Sequence, residues 1–228
     1  MESFYMGVIP FGCFLLGVFY MGVNSFCNVS SPIIKGDIEE RKGEQGKDMN
    51  TCYNKIVVED NFLEKEVFVT LRDIITHDDF KWNYQPSMVN TAEEDTNPGY
   101  FSHVIYGQNH DAPESTYWHS FEQVITKLNP IAIYHIRINL NTRMQQTYVS
   151  DFHSDTESMI HNPEQWTTSI FYINTNNGYT EFEESGIKIE SVANRMVSFP
   201  SHIKHAAAMQ TDESRRIVIN FNYFRKSI

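Results

Sequence analysis

The spacing of apolar residues predicts two helices in the first part of the folded region. Apolar residues recur with a helical period between Phe62 and Thr76, and again between Thr116 and Leu128. The dipeptide Asn129-Pro130 ends the second helix, because a proline cannot continue it. Short apolar runs at Lys55–Glu59 and Tyr100–Tyr106 predict one strand before each helix.

From Ile131 onward the pattern changes to an alternation of period two, which is typical of strands. Every later element is predicted as a strand. After the first alternating run these strands are Thr167–Asn174, Gly178–Glu183, Ile187–Glu190, Arg195–Phe199, His205–Gln210 and Arg216–Phe224. Two helices followed by about seven short strands predict a mainly β fold with flanking helices, in which the N-terminal helices pack on a β-sandwich or jelly roll.

The first 48 residues differ in character from the rest. Residues 4–23 are almost continuously apolar and uncharged, and a stretch of about this length can span a bilayer. A polar linker comes next at Lys35–Asp48, and folded-looking sequence begins after Met49. Two interpretations stay open: residues 4–23 anchor the protein in a membrane with the domain on the cytoplasmic side, or Met49 is the natural start. Either way, the sequence predicts a boundary between residues 1–48 and a domain at 49–228.

Charge and cysteine content exclude several classes of function. The 228 residues carry 18 basic and 29 acidic side chains without a basic block, so binding to a nucleic acid is not expected. Of Cys13, Cys27 and Cys52, only the last lies near the folded region, so neither a disulfide framework nor a cysteine-based zinc site is predicted. This fits a reducing compartment such as the cytoplasm.

The run Phe152-His153-Ser154-Asp155 is the first candidate for a metal site. Residues i and i+2 of a strand project to the same face, so His153 and Asp155 can hold one ion from one side. His205 is the candidate third ligand, since two histidines and one carboxylate form the facial triad of non-haem Fe(II) oxygenases. His202 could compete with His205, although its place in a Pro-Ser-His turn favours a loop histidine. His-x-Asp alone is common, so the prediction depends on the motifs that lie later in the chain.

The order of motifs after this pair resembles that of the Fe(II)- and 2-oxoglutarate-dependent dioxygenases, and among them the prolyl 4-hydroxylase-like group. The matching pieces after the His-x-Asp are Tyr172-Ile173-Asn174, Gly178-Tyr179-Thr180-Glu181-Phe182, Phe199-Pro200, His205 and Arg216. The resemblance covers roughly residues 131–225. The sequence departs from the family pattern where Tyr179 replaces a second glycine, where Ile173 replaces a leucine, and where no glycine comes directly after His205.

This resemblance implies a fold, a site and a reaction. It implies a double-stranded β-helix (jelly roll) in which His153, Asp155 and His205 hold Fe(II). It implies 2-oxoglutarate as cosubstrate, O₂ as oxidant and ascorbate as a further requirement to consider. The implied reaction hydroxylates a C–H bond of a peptidyl or small-molecule substrate, while 2-oxoglutarate is decarboxylated to succinate.

Strand parity selects the residues for the cosubstrate. Arg216 shares a face of the last strand with two asparagines, whereas Arg215 shares the other face with apolar residues. Arg216 is therefore predicted to bind the far carboxylate of 2-oxoglutarate, with Arg215 as the alternative. The same parity turns Tyr172 towards the pocket, where its hydroxyl could donate to that carboxylate; a packed core aromatic is the other interpretation.

Two other functions remain open from the sequence. One is a cupin-type metal-binding jelly roll that does not use 2-oxoglutarate, and the other is a non-catalytic binding module on the same fold. The substrate is not identified, although the loops at Asp78–Gly99, Gly107–Glu114 and Thr156–Gln165 are expected to border its site, because function concentrates on loops over a rigid sheet.

Overall fold

A computed structural model describes residues 56–87, 98–107, 113–155 and 165–225. The predicted anchor, the linker and the boundary at residue 48 lie outside these residues, as do most of the three predicted loops. Within the described ranges, no helix is both long enough and apolar enough to cross a membrane.

The elements occur in the predicted order. The helices are α1 (Lys65–Ile75) and α2 (Glu122–Leu128), with a short 3-10 helix at Trp118–Phe121 directly before α2. The strands are β1 (Val57–Glu59), β2 (Asn83–Gln85), β3 (Tyr100–Tyr106), β4 (Ala132–Thr142), β5 (Trp166–Tyr172), β6 (Tyr179–Phe182), β7 (Lys188–Glu190), β8 (Arg195–Pro200), β9 (His205–Ala208) and β10 (Arg215–Phe224).

The strands form two antiparallel sheets. The larger has seven strands in the order β1-β8-β5-β10-β4-β3-β2, and the smaller has three in the order β7-β6-β9. An apolar cluster joins Phe182 of the small sheet to Ile170, Phe199 and Val218 of the large one. The described chain is thus mostly antiparallel β-sheet with two short helices, and the prediction of a mainly β protein is confirmed.

The central strands β4 and β10 pair in a register that separates apolar from polar side chains. Ile217, Ile219 and Phe221 of β10 lie opposite apolar residues of β4. The alternate pairs are Arg216 with Asn141, Val218 with Asn139, Asn220 with Arg137, and Asn222 with His135. A slip by one residue would exchange the two sets, so the alternation itself fixes the register. We call the apolar side the outer face of the large sheet and the polar side its inner face.

The main hydrophobic core lies on the outer face. Phe68 of α1 and Val124 of α2 belong to the same buried cluster as Phe171 and Ile219 of the sheet. The ring of Phe171 meets those of Phe62 and Phe68 edge-on, with centroids 5.6 and 5.9 Å apart. The period-3.6 pattern of each helix and the period-two pattern of the strands therefore supply side chains to one core.

Two local features differ from the prediction. The region of the second predicted helix begins as a 3-10 turn, and Asn129 ends α2 in a left-handed conformation with φ 49°. The segment after α1, expected to be irregular, contains the edge strand β2, which pairs with β3. Because β2 has only three residues and is largely exposed, its sequence carries no hydrophobic alternation that would have revealed it.

Candidate metal and cosubstrate site

The backbone brings the two histidines of the predicted triad together. His153 and His205 form an isolated antiparallel bridge, with N···O distances of 3.0 and 2.9 Å in the two directions. His205 opens β9, while His153 lies on the extended segment beside it. Their rings are neighbours, with centroids 4.7 Å apart. A reciprocal pair of this kind holds two side chains on one face at a fixed separation.

Asp155 completes the group. Its Oδ1 lies 3.8 Å from His153 Nε2 and 3.9 Å from His205 Nε2. The three ligand atoms lie within 4.8 Å of one another, and in the part of the chain that the structure describes they form the one such group that could hold a metal ion. The structure therefore assembles the three residues that the sequence singled out.

Both imidazoles present the same nitrogen to this point. Nδ1 of His153 lies 3.2 Å from the carbonyl oxygen of Asp151, and Nδ1 of His205 lies 3.2 Å from that of Ile203. A carbonyl only accepts hydrogen bonds, so each Nδ1 carries the proton and each Nε2 keeps a lone pair for a metal. Main-chain oxygens in this outer position are a common way to fix the tautomer of a ligating histidine.

Asp155 is oriented by two donors that leave one of its oxygens free. Thr168 Oγ1 and Asn222 Nδ2 donate to Oδ2 at 2.9 and 2.8 Å, so Oδ1 is the oxygen that faces the histidines. Burial alone raises the pKa of Asp155, but attraction to the two histidines and these hydrogen bonds outweigh it and hold the pKa below its usual value. The carboxyl group is thus an anion ready to bind a cation.

His205 stays neutral because it is buried. Only 4% of its surface is exposed, between the rings of Phe199 and Phe182. Burial is the largest cause that lowers the pKa of His205, and His153 adds to it, while Asp155 and the carbonyl of Ile203 oppose the shift. A neutral imidazole is the form that ligates a metal.

Arg216 is a second candidate binding residue, and it is buried. Its side chain is 2% exposed, and its Nε donates to Ser191 Oγ at 2.9 Å. Burial lowers the pKa of Arg216, and Tyr172 is the only described group that opposes the shift, so no described carboxylate offsets this cation. A buried guanidinium without an acidic partner is costly unless a ligand supplies one.

The turn before β6 makes room for this arginine. A Cβ atom on Gly178 would lie 2.8 Å from Arg216 Cδ and 2.7 Å from the carbonyl oxygen of Ala208. Any larger residue would therefore push against the stem of Arg216. The glycine that the sequence motif contained has a steric reason that depends on the arginine on β10.

Tyr172 is fully buried beside Arg216, with the guanidinium carbon 5.7 Å from the ring centroid. Its hydroxyl donates to Thr180 Oγ1 at 2.8 Å, and Thr180 lines the cavity. Tyr172 belongs to the buried apolar cluster that contains Ile170 and Val218, and it is not among the described residues that line the cavity. The predicted hydrogen bond to a far carboxylate stays a prediction, because in this structure the hydroxyl proton is directed to Thr180.

The two histidines of the triad and Arg216 line one cavity of about 70 Å³, several times the roughly 10–15 Å³ that one water needs. Its lining includes His153, His205 and Arg216, together with Arg137 and several amide and hydroxyl side chains. Among the described residues, none that lines it is acidic. The cavity therefore combines a metal-binding group at one place with a strongly positive lining.

The remaining predicted candidates fall outside this cavity. His202 is exposed in the turn before β9 and does not belong to the metal-binding group. Arg215 is exposed as well, whereas its neighbour Arg216 is buried. The sequence did not assign a role to Thr168 and Asn222, although the parity that selected Tyr172 and Arg216 places both on the same inner face. That parity was the available signal for the two side chains that orient Asp155.

Comparison with known proteins finds similar folds among solved structures. No protein-family model matches the chain, and neither does any curated protein. Solved structures do match it. An oxidoreductase of the 2OG-Fe(II) oxygenase family from Burkholderia pseudomallei superposes with a TM-score of 0.53 at 10% identity, over 75% of this chain and 86% of that chain.

Two further structures agree with this match. A prolyl-4-hydroxylase from Pseudomonas putida gives a TM-score of 0.51 at 16% identity, over 75% of this chain and 93% of that chain. A non-haem α-ketoglutarate-dependent epimerase of nogalamycin biosynthesis gives 0.52 at 11% identity, over 76% and 78%. The chain has the jelly-roll fold of the Fe(II)/2-oxoglutarate oxygenases. The predicted double-stranded β-helix is thereby confirmed.

The fold by itself does not select a reaction. These similar structures include an epimerase and a hydroxylase, so one jelly roll supports different outcomes. The reaction of this chain depends on the residues of its own cavity.

Proposed function

We propose that this protein is an Fe(II)- and 2-oxoglutarate-dependent oxygenase that hydroxylates a C–H bond of a peptidyl or small-molecule substrate, with decarboxylation of 2-oxoglutarate to succinate. The observation that carries the proposal is a His-Asp-His group whose two histidines line the same cavity as a buried arginine that has no acidic partner among the described residues.

The donor set suits Fe(II). Two neutral imidazoles and one carboxylate on one side of an ion leave its other positions open to exogenous ligands. Bound Fe(II) would supply the activation of O₂, which protein side chains cannot provide. His153 and His205 would offer Nε2, and Asp155 would offer Oδ1, because their other polar atoms are already hydrogen-bonded within the protein. Ascorbate in the assay would keep the metal reduced.

The environment of Arg216 suits the far carboxylate of 2-oxoglutarate. Nε of Arg216 donates to Ser191, so the two terminal nitrogens of the guanidinium remain for a bidentate pair with a carboxylate. Burial makes such a pair stronger than it would be in water. A dicarboxylate with one end at Arg216 and the other at the triad would neutralise a charge that no described carboxylate offsets.

Hydroxylation is the reaction that the motif order favours, since the ordered pieces resemble those of the prolyl-hydroxylase-like group. The acidic composition and the absence of a basic block argue against a nucleic acid as substrate. The cysteine content fits a cytoplasmic site of action, where thiols stay reduced.

The proposal is tested by incubating the purified protein with Fe(II), ascorbate and 2-oxoglutarate and measuring succinate by mass spectrometry. We expect slow conversion even without a primary substrate, and none in the His153→Ala variant. Arg216→Ala should raise the Kd for 2-oxoglutarate by roughly 30- to 1,000-fold, as loss of one partner of a buried charge pair does. Arg215→Ala is the matched control, because its side chain is exposed.

Two results would redirect the assignment. Equal binding of 2-oxoglutarate by the wild type and Arg216→Ala, with the metal still bound, would favour a metal-binding jelly roll that does not use 2-oxoglutarate. Failure of the wild type to bind either Fe(II) or 2-oxoglutarate in calorimetry would favour a non-catalytic binding module. Circular dichroism on each variant would show that the fold is retained.

A further inference from the structure

The inner face of the large sheet carries a second group of polar side chains that neither the triad nor Arg216 uses. Arg137 and Asn139 lie on β4 and Asn220 lies on β10, and all three line the cavity. Arg137 is the direct cross-strand partner of Asn220, and Asn139 is two residues further along the same face. We call these three residues the amide-arginine group.

Each member of this group has a buried polar atom without a hydrogen-bond partner. The atoms are Arg137 Nε, Asn139 Oδ1 and Asn220 Oδ1. The described residues contain four such atoms, and three of the four belong to this one group. Native proteins leave few buried polar atoms unpaired, because each costs stability. Their concentration on one wall of one cavity indicates a place where a ligand completes the hydrogen bonds.

The charge of Arg137 points to an anionic ligand. In the part of the chain that the structure describes, no ion pair joins Arg137 to a carboxylate, and no acidic side chain lines the cavity. Burial first, and then the charge of Arg137, lower the pKa of His135 to about 4, while Asp155 opposes the shift. The charges of Fe(II), Asp155, Arg216 and the 2-oxoglutarate dianion would cancel one another. Arg137 would remain as one positive charge that neither cofactor nor cosubstrate balances.

The position of the group suits a primary substrate. Asn220 lies two residues from Asn222 on β10, and Asn222 donates to the metal-facing Asp155. Two residues along a strand span roughly 6–7 Å. Arg216 lies four residues from Asn220 in the other direction, and Val218, the cross-strand partner of Asn139, lies between them. A molecule bound at the amide-arginine group would thus lie between the triad and Arg216, with Arg137 and Asn220 on the side of the triad.

We infer that Arg137, Asn139 and Asn220 bind the head group of a free α-amino acid, which is the primary substrate. The guanidinium of Arg137 would hold the α-carboxylate, and the amide oxygens of Asn139 and Asn220 would accept hydrogen bonds from the α-ammonium group. An amino acid is the small ligand that offers an anion and several N–H donors on adjacent atoms, which are the partners that these three side chains lack. This inference rests on the proposed function, since the substrate is defined by its place beside the metal and cosubstrate.

The test uses Mn(II) in place of Fe(II), so that the paramagnetic ion broadens the proton signals of any probe bound near it. Protein loaded with Mn(II) and 2-oxoglutarate is titrated with the twenty proteinogenic amino acids and, in parallel, with their carboxamides. We expect saturable broadening of at least one amino acid and little of its carboxamide. Arg137→Gln should weaken binding about 10- to 100-fold, the effect of losing a charge-assisted hydrogen bond. Arg137→Lys should restore part of it.

Matched variants separate this effect from a loss of structure. Arg143→Gln removes an exposed arginine just beyond β4 and should change nothing. Asn220→Asp places a carboxylate opposite Arg137, where it would pair with the guanidinium, so amino-acid binding should fall while 2-oxoglutarate still binds. The melting temperature and the Kd for 2-oxoglutarate are measured on every variant.

Three outcomes would overturn the inference. These are the absence of saturable broadening by any amino acid, equal broadening in the wild type and Arg137→Gln, and a loss of 2-oxoglutarate affinity in Arg137→Gln. In the first two cases water alone would form hydrogen bonds with the three unpaired atoms, and in the third Arg137 would bind 2-oxoglutarate. The proposed function fails separately, when the wild type neither binds nor converts 2-oxoglutarate without any amino acid.

Discussion

The two faces of the ribbon formed by β4 and β10 have opposite chemistry, although their residues alternate along the same strands. On the outer face, Ile219 of β10 lies opposite Ile138 of β4, both fully buried in the main core with the helices. On the inner face, the neighbouring pair is Asn220 and Arg137, and both have a buried atom without a partner. One strand therefore contributes closely packed apolar side chains to one face of the sheet and polar groups without hydrogen-bond partners to the other.

The difference between the faces shows how this fold can contain a binding site whose unpaired polar groups lower its stability. Burial of large apolar side chains on the outer face stabilises the sheet by about 25 cal/mol per Å² of apolar surface. Polar groups on the inner face oppose that stabilisation until a ligand pairs them. Because the register is fixed by the outer face, the inner side chains need not stabilise the fold and can be placed for binding.

The most severe test removes the metal-facing carboxylate of Asp155, which two side chains of the inner face orient. Asp155→Ala should lower succinate formation by at least about 100-fold, the upper end of what loss of even an outer partner of a metal ligand costs. Asp151→Ala is the matched control: its exposed side chain is lost, but the main-chain oxygen that accepts from His153 remains. Equal activity of the two variants in the succinate assay would contradict the metal assignment.

A substitution on the outer face should lower the stability of the fold and leave the binding of 2-oxoglutarate unchanged. Phe171 is fully buried between Phe62 and Phe68, so Phe171→Ala should lower the free energy of unfolding by about 3–5 kcal/mol. Urea denaturation measures this loss. The fraction that stays folded should bind 2-oxoglutarate with an unchanged Kd, because Phe171 does not line the cavity. A large change in Kd would mean that the two faces are coupled and do not have separate roles.

A smaller effect is expected from the hydrogen bonds that orient Asp155. Thr168→Val keeps the shape of the side chain but removes the hydroxyl that donates to Oδ2, so affinity for Mn(II) should fall about 10- to 100-fold. Thr167→Val is the control, since Thr167 is the adjacent residue of β5 and projects to the outer face. Calorimetric titration with Mn(II) distinguishes the two. Equal affinities would show that Asn222 alone suffices to orient the carboxylate.

The smallest effect concerns an arginine that already has its partner. Arg195 donates to both carboxylate oxygens of Asp60, at 2.6 and 3.0 Å, in a partly exposed pair. Asp60→Asn should lower the free energy of unfolding by only about 0.2–1 kcal/mol at pH 7, because solvent screens such pairs. The Arg195 guanidinium hydrogen-bonded to Asp60 holds the pKa of that carboxyl below its usual value.

This lowered pKa determines how the contribution of the pair to the free energy of unfolding changes with pH. The contribution of the pair is fully present above the pKa of an aspartate in the unfolded chain and is lost as the pH falls through the lower pKa of the folded state. The difference in unfolding free energy between the wild type and Asp60→Asn should therefore disappear at strongly acidic pH. A difference that persists there would assign the effect of Asp60→Asn to packing rather than to the ion pair.

Much of the fold and of the site could be predicted because both depend on local alternation. The period-two pattern placed Arg216 and Ile217 on opposite faces of the last strand, and the structure buries one in the cavity and the other in the main core. The His-x-Asp spacing put two ligands on one side of an extended segment. The edge strand β2 escaped prediction because a short exposed strand needs no apolar pattern.

The sequence by itself determined which side chains share a face, since that property comes from backbone geometry within one strand. Only the tertiary structure decided which faces meet. Pairing of β4 with β10, whose residues are far apart in the chain, puts Asn220 beside Arg137. Packing around the triad brings Asn222 and Thr168 to the same oxygen of Asp155. Such contacts depend on strand order and register, which non-local burial sets and which no window of the sequence contains.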